Sequence, residues 1–76
     1  MNNSRRSRID KSKSYLELAL DMIRDILFEE QDSYNNLPEN LQDSERGNAM
    51  EDCIQNLEDS IDSIEEALEY LEEAKG

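Results

Sequence analysis

The side chains able to do chemistry in this chain are almost all carboxylates. Twenty residues are Asp or Glu, eight are Lys or Arg, none is His, and Cys53 is the single cysteine. From position 51 the acids arrive as doublets, Glu51-Asp52, Glu58-Asp59, Glu65-Glu66 and Glu72-Glu73, one every seven residues, with Asp62 and Glu69 between them. Acid–base catalysis near neutral pH leans on His. Bundles that hold two metals use inward Glu-x-x-His motifs, and zinc needs nitrogen or sulfur ligands. Cys53 has no His to activate its thiolate and reads as a small packed residue. Neither a Gly-rich phosphate loop nor an EF-hand spacing is present. The sequence therefore predicts no enzyme, no metal site and no cofactor.

Recognition is what remains for the acids. No Lys or Arg occurs from Gly47 through Ala74, although a solvated helix ordinarily intersperses them to gain i,i+4 pairs. The stripe of Glu51, Asp52, Glu58, Asp59, Asp62, Glu65, Glu66, Glu69, Glu72 and Glu73 is either a solubilising face or a docking surface for a basic protein. It could also imitate a phosphate backbone. Duplex DNA carries one charge per ~1.7 Å of axis, denser than one such stripe, so a mimic would combine the faces of two hairpins. The formal charge of −12 disfavours direct binding to nucleic acid or to an anionic membrane.

These residues need a scaffold, and the apolar spacing supplies one. Met50, Ile54, Leu57, Ile61, Ile64, Leu68 and Leu71 recur at four, three, four, three, four and three, an unbroken a/d heptad seam. Ser44 is a natural N-cap, and a helix over about residues 44–74 follows. Ile9, Leu16, Leu20, Ile23, Leu27 and Tyr34 keep the same rhythm, with Lys13 and Glu30 in two slots. Ser4 or Ser7 could cap this helix, Asn35-Asn36 with Pro38 beyond ends it, and about residues 7–35 are predicted helical. Glu30 is expected to reach solvent or Arg46. Residues 36–43 make the connection, with Leu37 and Leu41 folding over the closed end.

Two helices of equal length joined by a short connection form an antiparallel hairpin. The expected fold is thus all-α, one coiled-coil-like hairpin domain over residues 1–76. Residues 1–13 carry five Lys/Arg and one Asp, a net of +4, and the remainder nets −16. Antiparallel folding sets Arg5, Arg6 and Arg8 against Glu72 and Glu73, each cluster being the wrong sign for its own helix dipole. The register stays open between Leu16 with Leu68 and Leu16 with Ile61.

The two flanks of the seam differ. One holds the e positions, Asp10, Glu17, Arg24 and Gln31 facing Glu51, Glu58, Glu65 and Glu72. The other holds g and c positions that are small, apolar or aromatic: Tyr15, Ala19, Met22 and Ile26 against Ala49, Cys53, Ala67 and Tyr70. These eight residues either widen the intramolecular core or form a dimer interface, which would make a four-helix bundle of two hairpins. Leu18 and Phe28 fall outside both seams.

The stretch Leu37-Pro38-Glu39-Asn40-Leu41-Gln42, followed by Ser44-Glu45-Arg46-Gly47, Met50-Glu51, Ile54, Leu57-Glu58, Ile61, Ile64-Glu65-Glu66-Ala67 and Leu71-Glu72, resembles small acidic helical-hairpin proteins of phages and mobile elements in Gram-positive bacteria. The resemblance covers about residues 29–73, and its specific part is Leu37 to Gly47. It implies an accessory protein of a bacterial cytoplasm or infected cell, one that inhibits or modulates a host protein by contact, and it supplies no activity and no functional residues. A cytoplasmic location also fits the rest of the chain. No apolar run nears the ~20 residues of a membrane span, Arg5-Arg6-Ser7-Arg8 leads into no apolar signal core, and a lone cysteine suits a reducing compartment. The partners expected are a second copy and a basic protein.

Overall fold

The computed structural model describes residues 1–76 and contains three helices: α1 (Asn3–Asn35), α2 (Glu39–Gln42) and α3 (Glu45–Lys75). α1 and α3, of 33 and 31 residues, span about 50 and 46 Å at the helical rise, and they pack along their length as the expected hairpin. The molecule is a rod. Its Cα extents are 58 × 15 × 12 Å with a radius of gyration of 17.2 Å, where a compact domain of this length would have about 11 Å.

α1 begins earlier than the caps Ser4 and Ser7 suggest. Asn2 is the N-cap, its side-chain oxygen accepting from the Arg5 amide at 2.8 Å. Asn fills this role as well as Ser does, and nothing in Asn3-Ser4 opposes a helix. α1 has no acidic residue in its first turn and no basic residue in its last, so its charges oppose its own dipole. α3 has Glu45 first and Lys75 last, and Ser44 caps it as expected, accepting from the Gly47 amide at 3.3 Å.

The connection is more ordered than a loop. Pro38 starts the single turn α2, and the Gln42 side chain donates to the carbonyls of Tyr34 (3.4 Å) and Leu37 (3.3 Å). Those carbonyls belong to the end of α1 and the chain just beyond it, where helical partners run out. α2 lies on the first turns of α3, and Gly47 is buried beneath it. Leu37 turns inward, whereas Leu41 stays more exposed.

Register follows from the cross-helix polar contacts. Asp10 pairs with Lys75 at 2.7 Å, Lys13 pairs with Glu72, and the Tyr34 hydroxyl donates to Glu51. The residue numbers in each pair add to 85. Leu16 with Leu68 matches that sum within one residue, and Leu16 with Ile61 misses it by eight. Arg24 reaches Glu65 at 3.6 Å by virtue of its longer side chain.

The seam is thin. Leu20 at 5% exposure and Ile61 at 9% are the only buried apolar residues, and the other seam positions remain half-exposed. Glu30 is half-buried and makes no ion pair, with Arg46 or any other cation.

Candidate interaction surfaces

The open end of the hairpin is held by a cluster of charges. Arg6 Nε donates to the Lys75 carbonyl at 3.0 Å, Lys13 bridges to Glu72, and Lys75 bridges to Asp10 and, at 3.4 Å, to Glu72. Charge neutralisation therefore runs through Lys13 and Lys75. Arg5, Arg8 and Glu73 form no ion pair, and Arg6 instead satisfies an unpaired carbonyl at the helix terminus. The hydrogen bond and charge of Lys13, with Lys75 behind them, hold Glu72 below the usual carboxylate range. The hydrogen bond to Asp10, helped by the charges of Asp10 and Glu72 and opposed by desolvation, raises Lys75. At the closed end, the hydrogen bond to Glu51 raises Tyr34, with desolvation and the charges of Glu51 and Asp43 adding to it.

These shifts fix a pH profile. Glu72 is depressed, so its contribution is present above the unfolded carboxylate range and vanishes as pH falls through its folded value. Tyr34 and Lys75 are raised, so theirs are present below the unfolded values and vanish as pH rises through the folded ones. The thermal midpoint by circular dichroism should fall below about pH 3.5 and fall again above pH ~10. A midpoint that holds steady through both ranges would show that these three contacts add nothing to the hairpin.

All ten acids of the stripe are exposed, but they divide into two sets. At the e positions, Glu51, Glu65 and Glu72 serve the hairpin through Tyr34, Arg24 and Lys13, and Glu58 has no cation. At f and b, Asp52, Asp59, Asp62, Glu66, Glu69 and Glu73 meet no cation either. Asp59 accepts from Gln55 Nε2 at 3.0 Å. No three acidic or cysteine side chains converge as metal ligands.

On the opposite flank the hairpin register sets Tyr15 across from Tyr70, Ala19 from Ala67, Met22 from Ser63 and Ile26 from Ser60. Tyr15, Met22, Ile26 and Tyr70 are 63, 59, 48 and 62% exposed. Leu18 adjoins Tyr15 and Met22 on the helix surface and is as open. Ala19 and Ala67 are half-buried, while Ala49 and Cys53 are exposed, so the single chain does not pack Cys53. The small residues of α3 leave shallow depressions, one lined by Ile23, Asn56, Asp59, Ser60, Ser63 and Ile64, the next by residues around Ala49 and Cys53. Ser12 and Ser60 turn their hydroxyls onto their own helices, donating to the carbonyls of Arg8 and Asn56 at 2.9 Å each. These flank hydroxyls need no water or partner to be satisfied.

Sequence reasoning overlooked two structural roles, the Gln42 cap and the close approach at Gly47. A Gly at an a position of an otherwise apolar seam was the available signal for the second. No family model matches the sequence, and neither a curated protein nor a solved structure is similar to it. No helix is long and apolar enough to cross a membrane.

Proposed function

We propose that this chain is a non-catalytic, acidic protein-interaction module, a hairpin that pairs with a second copy into a four-helix bundle and binds a basic partner through the outer acids of α3. As a phage or mobile-element accessory protein, a role suggested by the Leu37–Gly47 resemblance, it would inhibit or modulate a host protein by contact in the bacterial cytoplasm. The observation that carries the reading is the exposed flank of Tyr15, Met22, Ile26 and Tyr70 on a rod with only two buried apolar residues. So thin a core is marginal for a chain of this size, and clustered apolar exposure marks an interaction surface. Sedimentation at micromolar concentration tests it: a dimer is expected, strengthening modestly with salt as repulsion between the two chains is screened. A helical, cooperatively melting monomer of 8.9 kDa would remove self-association from the proposal.

A second reading, a nucleic-acid mimic seated in a basic groove, is favoured by the cation-free row Asp52, Asp59, Glu66 and Glu73, repeating about every 10.5 Å along α3. Affinity for such a target should fall steeply between about 50 and 200 mM salt, and nucleic acid should compete. Reversing Asp52, Asp59, Glu66 and Glu73 to Lys changes only acids that meet no cation and keeps good helix formers outside the seam. Target binding that survives this reversal ends both the mimic and the acidic-docking readings.

A further inference from the structure

The outward face of α1 is ordered along its length, basic, then largely apolar with Asp25 at its edge, then acidic. Arg8 and Lys11 lie at c and f positions near the start, Glu29 and Asp32 at c and f near the end, and all four are exposed and form no ion pair. Between them stand Tyr15, Ala19, Met22 and Ile26, at spacings of four, three and four. That spacing reads the same in both directions. We propose that two copies pack flank to flank across a two-fold axis that runs α1 antiparallel to the partner's α1, with residue numbers across the axis adding to about 41. This rests on the self-association proposed above and specifies its geometry.

Three independent features meet at that register. Apolar residues face apolar residues, since Tyr15 opposes Ile26 and Ala19 opposes Met22, and Leu18, adding to 40 with Met22, is covered at the rim. Charge is complementary at both ends, because Arg8 with Asp32 and Lys11 with Glu29 each add to 40, giving four cation–carboxylate pairs across the axis. Shape agrees on the second helix pair. The hairpin sum of 85 turns 41 on α1 into 129 on α3, which lays Tyr70 of each copy near Ser60 of the other, over the depression beside Asn56 and Ser63.

The alternative stacking sets α1 on the partner's α3 at the same height. It would place Asp25 beside Asp59 and Asp32 beside Asp52, and it would lay the acidic closed halves of the two rods side by side. The antiparallel arrangement instead lays the nearly neutral open half of each copy, where the basic start of α1 meets the acidic end of α3, along the acidic closed half of the other. It retains repulsion between Glu66 of the two copies, which stand near the two-fold axis on the α3 pair, consistent with a dimer that tightens as salt rises.

Chains carrying Cys53→Ser with Ala19→Cys, Met22→Cys or Ala67→Cys are mixed in pairs and treated with a thiol-to-thiol cross-linker spanning about 8 Å, the spacing of closely packed helices. The mixture of Ala19→Cys with Met22→Cys should give at least tenfold more cross-linked heterodimer than Ala19→Cys with Ala67→Cys. Preferential linkage of 19 to 67 would establish the alternative stacking and overturn the register while leaving self-association intact. A dimer by sedimentation that links in neither mixture would also overturn it, placing the contact on another face. A Cys53→Ser chain that sediments as a monomer overturns self-association itself, and the register with it.

Discussion

Replacing Gly47 with Ala should destabilise the hairpin by about 2 kcal/mol or more, although Ala is the better helix former. Propensity alone would favour the change by ~1 kcal/mol within α3. Geometry opposes it. A Cβ at position 47 would stand 2.1 Å from the Gln42 carbonyl oxygen, 2.5 Å from its carbon and 2.7 Å from the Leu41 oxygen. These are backbone atoms, so no rotamer change relieves the overlap, and overpacking of this kind costs ~1–3 kcal/mol even where side chains can yield. Moving α2 outward would also pull Gln42 from the carbonyls of Tyr34 and Leu37. In a chain this small the thermal midpoint should drop by roughly 10 °C or more. Asn48→Ala, one residue on and exposed, supplies the control, since it should gain a few tenths of a kcal/mol by propensity alone. A Gly47→Ala chain that melts at or above the native midpoint would show that α2 does not sit tightly on α3.

Helix existence, pairing and flank asymmetry were all legible in the sequence because they depend on spacing alone. The a/d rhythm of Met50 through Leu71 has no lapse, and equal lengths with one Pro-bearing connection leave little but a hairpin. What spacing could not settle was decided by single polar contacts. The one-heptad ambiguity turned on whether Lys13 meets Glu72 and Tyr34 meets Glu51, pairs set by side-chain reach that an apolar pattern does not encode. The start of α1 was misjudged because Asn2, Ser4 and Ser7 are equivalent N-caps by type, and Asn3-Ser4 carries no stop signal. The uniform acidic stripe proved to be two populations for the same reason: heptad position separates e from f and b, but only the fold recruits Glu51, Glu65 and Glu72 into the hairpin. Neutralisation at the open end took an unforeseen form in Arg6, whose partner is a carbonyl rather than a carboxylate.

The substitution pair Ala19→Glu with Ala67→Glu should separate a hairpin that stands alone from one that depends on its flank. In an isolated rod both positions are half-buried at the edge of the seam, where a Glu side chain can bend outward and keep its carboxylate hydrated. The cost there would be the mutual repulsion of two added charges beside an already acidic surface, below about 1 kcal/mol. In a paired bundle the same residues lie near the two-fold axis, so each dimer would bury four carboxylates among Tyr15, Met22 and Ile26 with no cation in reach. Burying an unpaired charge costs several kcal/mol. Since pairing and hairpin stability are linked by mass action, the variant should become monomeric and lose helicity together. Ala19→Gln with Ala67→Gln matches the bulk and polarity without the charge, and it should retain part of both. Sedimentation and circular dichroism on the same samples decide the matter. If the Glu variant keeps the native helicity and the native sedimentation, the flank is not a self-interface, and its exposed Tyr15, Met22, Ile26 and Tyr70 are then the surface on which a different partner must be sought.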